Sequence, residues 1–202
     1  MPNLSIDTVR ALPRRAYRKA IYRQHLLDRY EIAAADSQAP SVPFDLSMEF
    51  IGPEGFDRVL GTNPYLTNED IEQFARQRST CIVVHDGDRV ASTSWMTAGD
   101  VFVHELQREL VVPTTEHFSC RSYVDPDYRG RALFGHMIHS YSLLQPPGDT
   151  VWGLVYGWNT ASVLSIERIG WRCTGEYWTR WILGSKRGGE RHFQPRSPND
   201  PK

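Results

Sequence analysis

Residues 124 to 135, VDPDYRGRALFG, join a strand-like run to a helix-like one through an arginine-bearing turn. Phe118 to Val124 reads as a strand, and Pro126 ends it by removing a backbone donor and restricting Asp125. Beyond the break, Ala132, Leu133, Phe134, Met137, Ile138 and Tyr141 recur near a 3.6-residue period, predicting a helix that begins at about Gly130 to Ala132. The first amides of such a helix have no intrahelical partner and point back toward the strand end, where they can bind a phosphate anion. Gly130 permits close approach of a ligand, while Arg129 and Arg131 bring side-chain donors to the same charge. The combination suits a diphosphate. A solvated helix cap uses the same residue types, so the choice falls to a second segment.

Residues 151 to 171, VWGLVYGWNTASVLSIERIGW, repeat the order of strand then helix. Val151 to Tyr156 reads as a strand, Asn159 as a cap, and Gly170 as the close of a short amphipathic helix with Val163, Ile166 and Ile169 on one face. Asn159 and Ser162 are three apart and share a side of that helix, where both could reach a ligand or could serve only as local caps.

Together the two segments resemble the GNAT superfamily of acyl-CoA-dependent N-acyltransferases. The family's pyrophosphate frame is a Gln or Arg, two residues, a Gly, one residue, and a Gly or Ala. It falls here on Arg129, Ala132 and Phe134, with Ala132 in place of the usual Gly and Phe134 in place of the final small residue. The family's second pattern is matched by Asn159, Ser162, Glu167, Arg168, Gly170 and Trp171. The resemblance covers roughly residues 68 to 184 and implies an α+β (α/β sandwich-like) GNAT fold. In that fold a mixed central β-sheet carries flanking helices and splits between the two cofactor-side strands. The resemblance also implies acetyl-CoA or another acyl-CoA as co-substrate. Arg129, Gly130, Arg131, Ala132, Leu133 and Phe134 would hold its diphosphate, Asn159 and Ser162 its pantetheine arm, and an amide at Tyr123 or Val124 the oxyanion. The implied reaction passes an acetyl or other acyl group to a primary amine by direct attack in a ternary complex, and no metal is called for.

Direct attack needs an amine held over the carbonyl and a group to take its proton. His117, ahead of the cofactor strand, and His104 with Glu105, after a short extended run, are the candidate bases. Histidine titrates near neutral pH, whereas glutamate needs a raised pKa or a water relay. The plain reading of His117 is a solvated histidine at the strand start. Many relatives protonate the departing thiolate with a Tyr in the second helix. Ile166 occupies that place here and cannot donate a proton. Tyr156 and Ser162 are the substitutes, with core packing and capping as their plain readings. The missing Tyr keeps a second reading open: a catalytically degenerate domain that binds acyl-CoA as a sensor or assembly module. His136 and His139 read as surface residues of the first helix.

The chain has 202 residues with 23 basic and 24 acidic side chains, a formal charge of −1. It is long enough for one substantial core and carries no nucleic-acid footprint. A small-molecule amine is the acceptor most in keeping with this balance; a peptide or protein acceptor stays open, and a homodimer is allowed. No apolar run reaches the length of a membrane span and the N-terminus has no hydrophobic signal core, so cytoplasmic location is the default expectation. Cys81, Cys120 and Cys173 lack the spacing of a zinc site or disulfide framework and read as free thiols, with Cys120 close to the phosphate turn.

The elements that must position these groups are legible in part. From Pro13 onward a basic amphipathic helix is predicted, with Tyr17, Ile21 and Leu27 on its apolar side and a connector over residues 36 to 48. Residues 1 to 48 are thus expected as a helical segment packed on a domain of residues 49 to 184. Leu66 to Arg76 predicts a helix capped by Thr67 or Asn68. Cys81 to Val84 and Arg89 to Met96 predict a hairpin turning at His85 to Asp88, and Val101 to Val103 and Leu110 to Val112 short extended pieces. Trp171 to Thr174 and Tyr177 to Leu183 read as terminal strands around a turn at Gly175 and Glu176, and residues 185 to 202 as a fraying tail.

Overall fold

Strand β7 (Glu116–Val124) pairs in parallel with β8 (Thr150–Val155) over four rungs only, from Glu116 opposite Thr150 to Ser119 opposite Gly153. Beyond Ser119 and Gly153 the two strands part. The computed structural model describes residues 22–37, 46–182 and 185–193, without the side chains of 22, 23 and 182. Close approach at the last rung depends on Gly153: a Cβ there would lie 3.2 Å from the Ser119 carbonyl oxygen and 3.3 Å from the Trp171 ring.

Among the described residues six further strands join the sheet: β1 (Tyr22–Ala33), β2 (Ser47–Ile51), β3 (Thr80–Asp86), β4 (Arg89–Thr97), β9 (Arg172–Ile182) and β10 (Ser185–His192). Their order is β10-β9-β1-β8-β7-β4-β3-β2. Every neighbouring pair except β7 and β8 is antiparallel, so the sheet is mixed. Among the described residues three helices flank it: α1 (Asn68–Arg76), α2 (Leu133–Ser142) and α3 (Thr160–Arg168), while β5 (Val101–Val103) and β6 (Arg108–Leu110) form a separate hairpin. The β3–β4 hairpin falls where the sequence predicts it, turning at Gly87 with φ of 56°. Helix α1 starts with a reciprocal capping box between Thr67 and Asp70.

Alternation along the strands divides the core between two faces. On one face α2 and α3 bring Leu133, Met137, Ile138, Ile166 and Ile169 against Tyr30, Ile32, Ile82, Val84 and Val151. On the other, Val101, Val103 and Leu106 of the β5–β6 hairpin cover Leu27, Phe118 and Trp152. Beside them Phe74 of α1 and Phe56 and Val59 of a 3-10 turn cover Cys81, Val83 and Trp95.

Three expectations are corrected. The helix predicted from Pro13 is a strand from Tyr22 to Ala33, its earlier part lying outside the described residues. This strand is interior to the sheet and apolar on both faces, with Leu27 toward one and Tyr30 and Ile32 toward the other, which erases simple alternation. The expected turn at Gly175 and Glu176 is a bulge in one continuous β9: Arg29 faces Gly175 and Tyr30 faces Cys173, leaving Thr174 extra. The tail expected to fray carries edge strand β10, paired with β9 along its length. Its backbone makes the pairing, and Gly188 and Gly189 let it close on Trp178, where a Cβ would lie 3.0 Å from atoms of that residue.

Ile32 tests the strand assignment. It is 5% exposed, so Ile32→Ala is expected to lower the unfolding free energy by about 2–5 kcal/mol in urea melts. A side chain on a covering helix's solvated rim would change it by less than about 0.5 kcal/mol.

Candidate functional site

The turn between β7 and α2 is fixed from behind. Asp125 accepts the Asp127 amide at 3.0 Å. Arg89 bridges Asp125 at 3.0 Å and Asp127 at 2.7 Å, and the Tyr128 hydroxyl donates to Asp86 at 2.7 Å. The Asp127 amide first, then Arg89, hold the Asp125 carboxyl below the usual carboxylate range. The chain then passes through Gly130 at φ 79° and Ala132 at φ 58°, both left-handed, and α2 starts at Leu133 with no side-chain cap. Among the described residues no group accepts from the amides of Leu133, Phe134 and Gly135, the orphan donors of a helix start. Arg129 is exposed, its Nε donating to the Val124 carbonyl at 3.3 Å, and the Arg131 guanidinium lies 4.9 Å from the centre of the Tyr128 ring. Free amides and two guanidinium groups in one turn fit an anion.

The gap begins at a bulge. Thr93 faces Tyr123 and Trp95 faces Cys120, so β7 holds one residue more than β4 across this stretch. Arg121 takes the left-handed conformation there, at φ 48°, and the Asn63 side-chain amide donates to its carbonyl at 2.9 Å. Past the bulge, the Asp125 amide donates to the Ala91 carbonyl on β4 at 3.0 Å. Strand alternation therefore turns the Tyr123 amide toward β4 and the Val124 amide toward the gap. Of the two oxyanion candidates, Val124 has the geometry.

The hairpin-covered face of the gap carries a cavity of about 380 Å³ lined by His25, His104, Glu105, Gln107 and Trp181. Tyr156 comes off the end of β8 onto this face, and its hydroxyl lies 2.6 Å from His25 Nδ1. Burial, then the charge of Glu105, raises the Tyr156 pKa. Behind the cavity, Arg121 donates to Asp70 at 2.9 Å and lies 3.7 Å from Glu105, and His104 Nε2 is 3.6 Å from Asp70. Asp70 is 3% exposed. Burial pulls its pKa up, but bonds from the Thr67 amide and hydroxyl together with Arg121 outweigh that, and the net direction is down.

Of the expected catalytic residues the structure brings His104, Glu105 and Tyr156 together. His117 stands apart, at the closed end of the β7–β8 pair, and is buried rather than solvated. Its Nε2 is 2.9 Å from Asp149 and its Nδ1 3.0 Å from the Tyr141 hydroxyl. With both nitrogens engaged it ties α2 to the sheet. Ser162 lies in the first turn of α3, on the opposite face from the cavity. Asn159 accepts the Ser162 amide at 3.4 Å, so it caps the helix. Ile166 is 1% exposed in the helix-side core. His136 and His139 are half-buried rather than on the open surface, His139 meeting Ser37 at 3.2 Å. Cys81, Cys120 and Cys173 are free thiols; burial pushes Cys120 up to about 12, which leaves it protonated and a poor nucleophile. Among the described residues no group of three or more His, Cys, Asp or Glu could hold a metal ion, and no helix is long and apolar enough to cross a membrane.

His25, Arg121, Asp70, Asn63 and Trp181 were not among the expected site residues. Asp70 lies in the first turn of the predicted helix, where an acidic residue is ordinary and signals no site. His25 lay inside a stretch read as helix, where its facing could not be assigned.

No protein-family model matches the chain, and no curated protein sequence matches it. Solved structures do. A conserved protein of unknown function from Staphylococcus epidermidis is similar at TM-score 0.60 and 12% identity, over 89% of this chain and 69% of that one. A GCN5-related N-acetyltransferase from Kribbella flavida is similar at TM-score 0.56 and 10% identity, over 81% of this chain and 60% of that one. The glucosamine N-acetyltransferase region of a fungal multi-domain β-N-acetylglucosaminidase is similar at 0.55 and 12%, over 88% of this chain and 23% of that one. The chain has the GNAT fold: a mixed central sheet, flanking helices and a split between β7 and β8.

Two measurements test the local geometry. The lowered Asp70 pKa contributes stability that is complete above the unfolded value near 3.8 and is lost as pH falls through the folded one. Asp70→Asn should cost about 1–3 kcal/mol near neutral pH by leaving its partners short of an acceptor, and should flatten that acid-range loss in urea melts. Ala132→Gly should leave stability unchanged or raise it by up to about 1 kcal/mol, because relief of the left-handed penalty offsets the backbone entropy of glycine. A loss of about 1 kcal/mol, normal for this change within a helix, would remove the left-handed assignment.

Proposed function

We propose that the protein is an N-acyltransferase that passes an acetyl or other acyl group from acyl-CoA directly to a primary amine. The observation that carries this reading is the gap between β7 and β8, with the Val124 amide at its edge, the uncapped start of α2 at its end and a polar cavity on its hairpin side.

In this reading the diphosphate meets the amides of Leu133, Phe134 and Gly135 and the Arg129 guanidinium, and the pantetheine arm runs into the gap. The thioester carbonyl then comes level with Val124, whose amide supports the oxyanion formed on attack. The amine enters from the cavity, where His104 and Glu105 supply polar contacts and Tyr156 stands against His25 of its lining. A cavity of about 380 Å³ suits a small-molecule amine or one side chain of a peptide or protein better than a folded surface. The cytoplasm, which supplies acyl-CoA, is where we place the activity.

One observation favours a second reading. Ile166 fills the helix-side core where many proteins of this fold hold a proton-donating Tyr, as a ligand-binding domain without turnover could have it. Release of free CoA in the presence of an amine library separates the two: turnover with any amine supports the enzyme, and acyl-CoA binding without release supports the module.

Arg129 tests the anchor. Arg129→Ala should weaken acetyl-CoA binding by about 1.5–3 kcal/mol, roughly 10- to 150-fold, in calorimetry. Because Arg129 is exposed, its melting temperature should stay within experimental error of wild type. Equal loss of stability and affinity would make Arg129 a structural residue instead.

A further inference from the structure

We infer that His25 and Tyr156 form a single proton relay, in which His25 takes the proton of the attacking amine and Tyr156 delivers one to the departing sulfur. The inference rests on the N-acyltransfer reading above and adds to it a base from the first strand of the sheet.

The two side chains are 131 residues apart in sequence and meet at 2.6 Å, Nδ1 to hydroxyl, at the short end of hydrogen-bond distances. They share a face because His25 alternates with Leu27 on β1 as Tyr156 alternates with Leu154 and Trp152 on β8, and Leu27 and Trp152 lie in the hairpin-covered core. Trp181 of β9 meets the His25 ring edge-on at 5.7 Å and fixes its plane. Nε2 takes no protein partner among the described residues, and the ring lines the cavity. On the far side of the gap, Glu116 pairs with Thr150 and Ser119 with Gly153. Continuing that offset past the bulge sets Tyr156 level with Ser122 or Tyr123, next to Val124. Tyr156 thus leaves β8 across the gap from the amide assigned to the thioester carbonyl, with its hydroxyl turned to His25 of β1.

The charged and titratable neighbours come from each surrounding element. Tyr156 is from β8, His104 and Glu105 are from the β5–β6 turn, and behind Glu105 stands Arg121 of β7, bound to Asp70 of α1. Trp181 adds no charge. Burial, then the charge of Glu105, raises the Tyr156 pKa, which keeps the phenol protonated; its proton can pass to the departing sulfur because the Nδ1 proton replaces it in the same step, so that no phenolate is left.

The step balances. With neutral His25 carrying its proton on Nδ1, Nε2 takes the N–H proton of the amine as the C–N bond forms. The phenol O–H passes to sulfur as the C–S bond breaks, and the Nδ1 proton moves to the phenol oxygen. The products are an amide and a free thiol. The imidazole is left as its other tautomer, and proton exchange with cavity water restores it.

Wild-type protein is first titrated with acetyl-CoA in a calorimeter, then assayed for CoA release with an amine library. Absence of binding, or binding without turnover on any amine, would remove the acyltransfer reading and the relay with it; turnover that survives loss of His25 would remove the relay alone. With an active amine in hand, His25→Ala and Tyr156→Phe are each expected to lower kcat about 100-fold or more while acetyl-CoA affinity stays within about twofold. The double variant should be no slower than the slower single one, because the two residues act as a unit. Imidazole should restore part of the rate to His25→Ala and none to the double variant. If His25→Ala does not fold, His25→Gln takes its place in the same comparison. A His25 variant within a few-fold of wild type, or losses that multiply in the double variant, would overturn the relay.

Discussion

Four rungs of parallel pairing between β7 and β8, and the bulge that follows them on β7, govern the rest of the molecule. A parallel ladder normally satisfies every backbone group along its length, so a pair that stops midway must find other partners for its amides or leave them to a ligand. Arg121 is the pivot. Its left-handed backbone costs about 1–2 kcal/mol for a residue with a Cβ. The carbonyl bond from Asn63 and the ion pair with buried Asp70 hold it there, and a hydrogen bond to a charged group, at about 1.5–3 kcal/mol, is enough to offset that cost. The extra residue also resets which side chains face which way: Val124 joins the helix-side core, and Tyr123 turns to meet Tyr65 on the other side.

The two faces of the sheet then take separate tasks. Helices α2 and α3 seal one face with Leu133, Met137, Ile138 and Ile166, and α2 presents its uncapped start toward the open end of the gap. The other face is sealed less completely. The β5–β6 hairpin closes over Phe118 and Trp152, while its turn, carrying His104 and Glu105, stands at the cavity's edge. Polar groups collect there because the hairpin turn, the start of α1 and the ends of β1, β8 and β9 all reach this edge. Buried Asp70 is tolerable only because Thr67 and Arg121 satisfy it, and the same bonds tie the cap of α1 to the bulge. Helix capping and the opening of the gap are thus mechanically joined.

Much of the fold was legible because its signals are local. The turn from Pro126 to Ala132, the cap of α1 at Thr67, offered beside Asn68, and the hairpin at Gly87 depend on residues a few positions apart, and the sequence reading located each. Strand β1 was misread for a physical reason. Leu27 and Tyr30 are three apart, as on a helix face, yet they point to opposite sides of a sheet buried on both faces. One clue was available: Arg29 and Glu31, two apart, form an ion pair at 2.7 Å, which neighbours on a strand face can do and helix residues at that spacing do not. Strand β10 gave no such clue, since SKRGGERH has hardly an apolar side chain and owes its place to backbone pairing with β9.

The same distinction separates the turn at the start of α2, which the sequence reading located, from the contact between His25 and Tyr156, which it did not. Backbone amides at a helix start are set by a dozen consecutive residues, whereas the pair of His25 and Tyr156 exists only because β1 is inserted between β8 and β9. Ten positions of that strand pair with β9 and six with β8, Asp28 to Glu31 with both, so the strand cannot shift register without breaking both ladders. A slip of one residue would turn His25 to the helix face and bring Leu26 beside Tyr156. The apolar matching of Leu27, Tyr30 and Ile32 to their two cores therefore fixes the imidazole against the phenol. Core packing, which carries no chemistry of its own, sets the geometry on which the proposed proton relay depends.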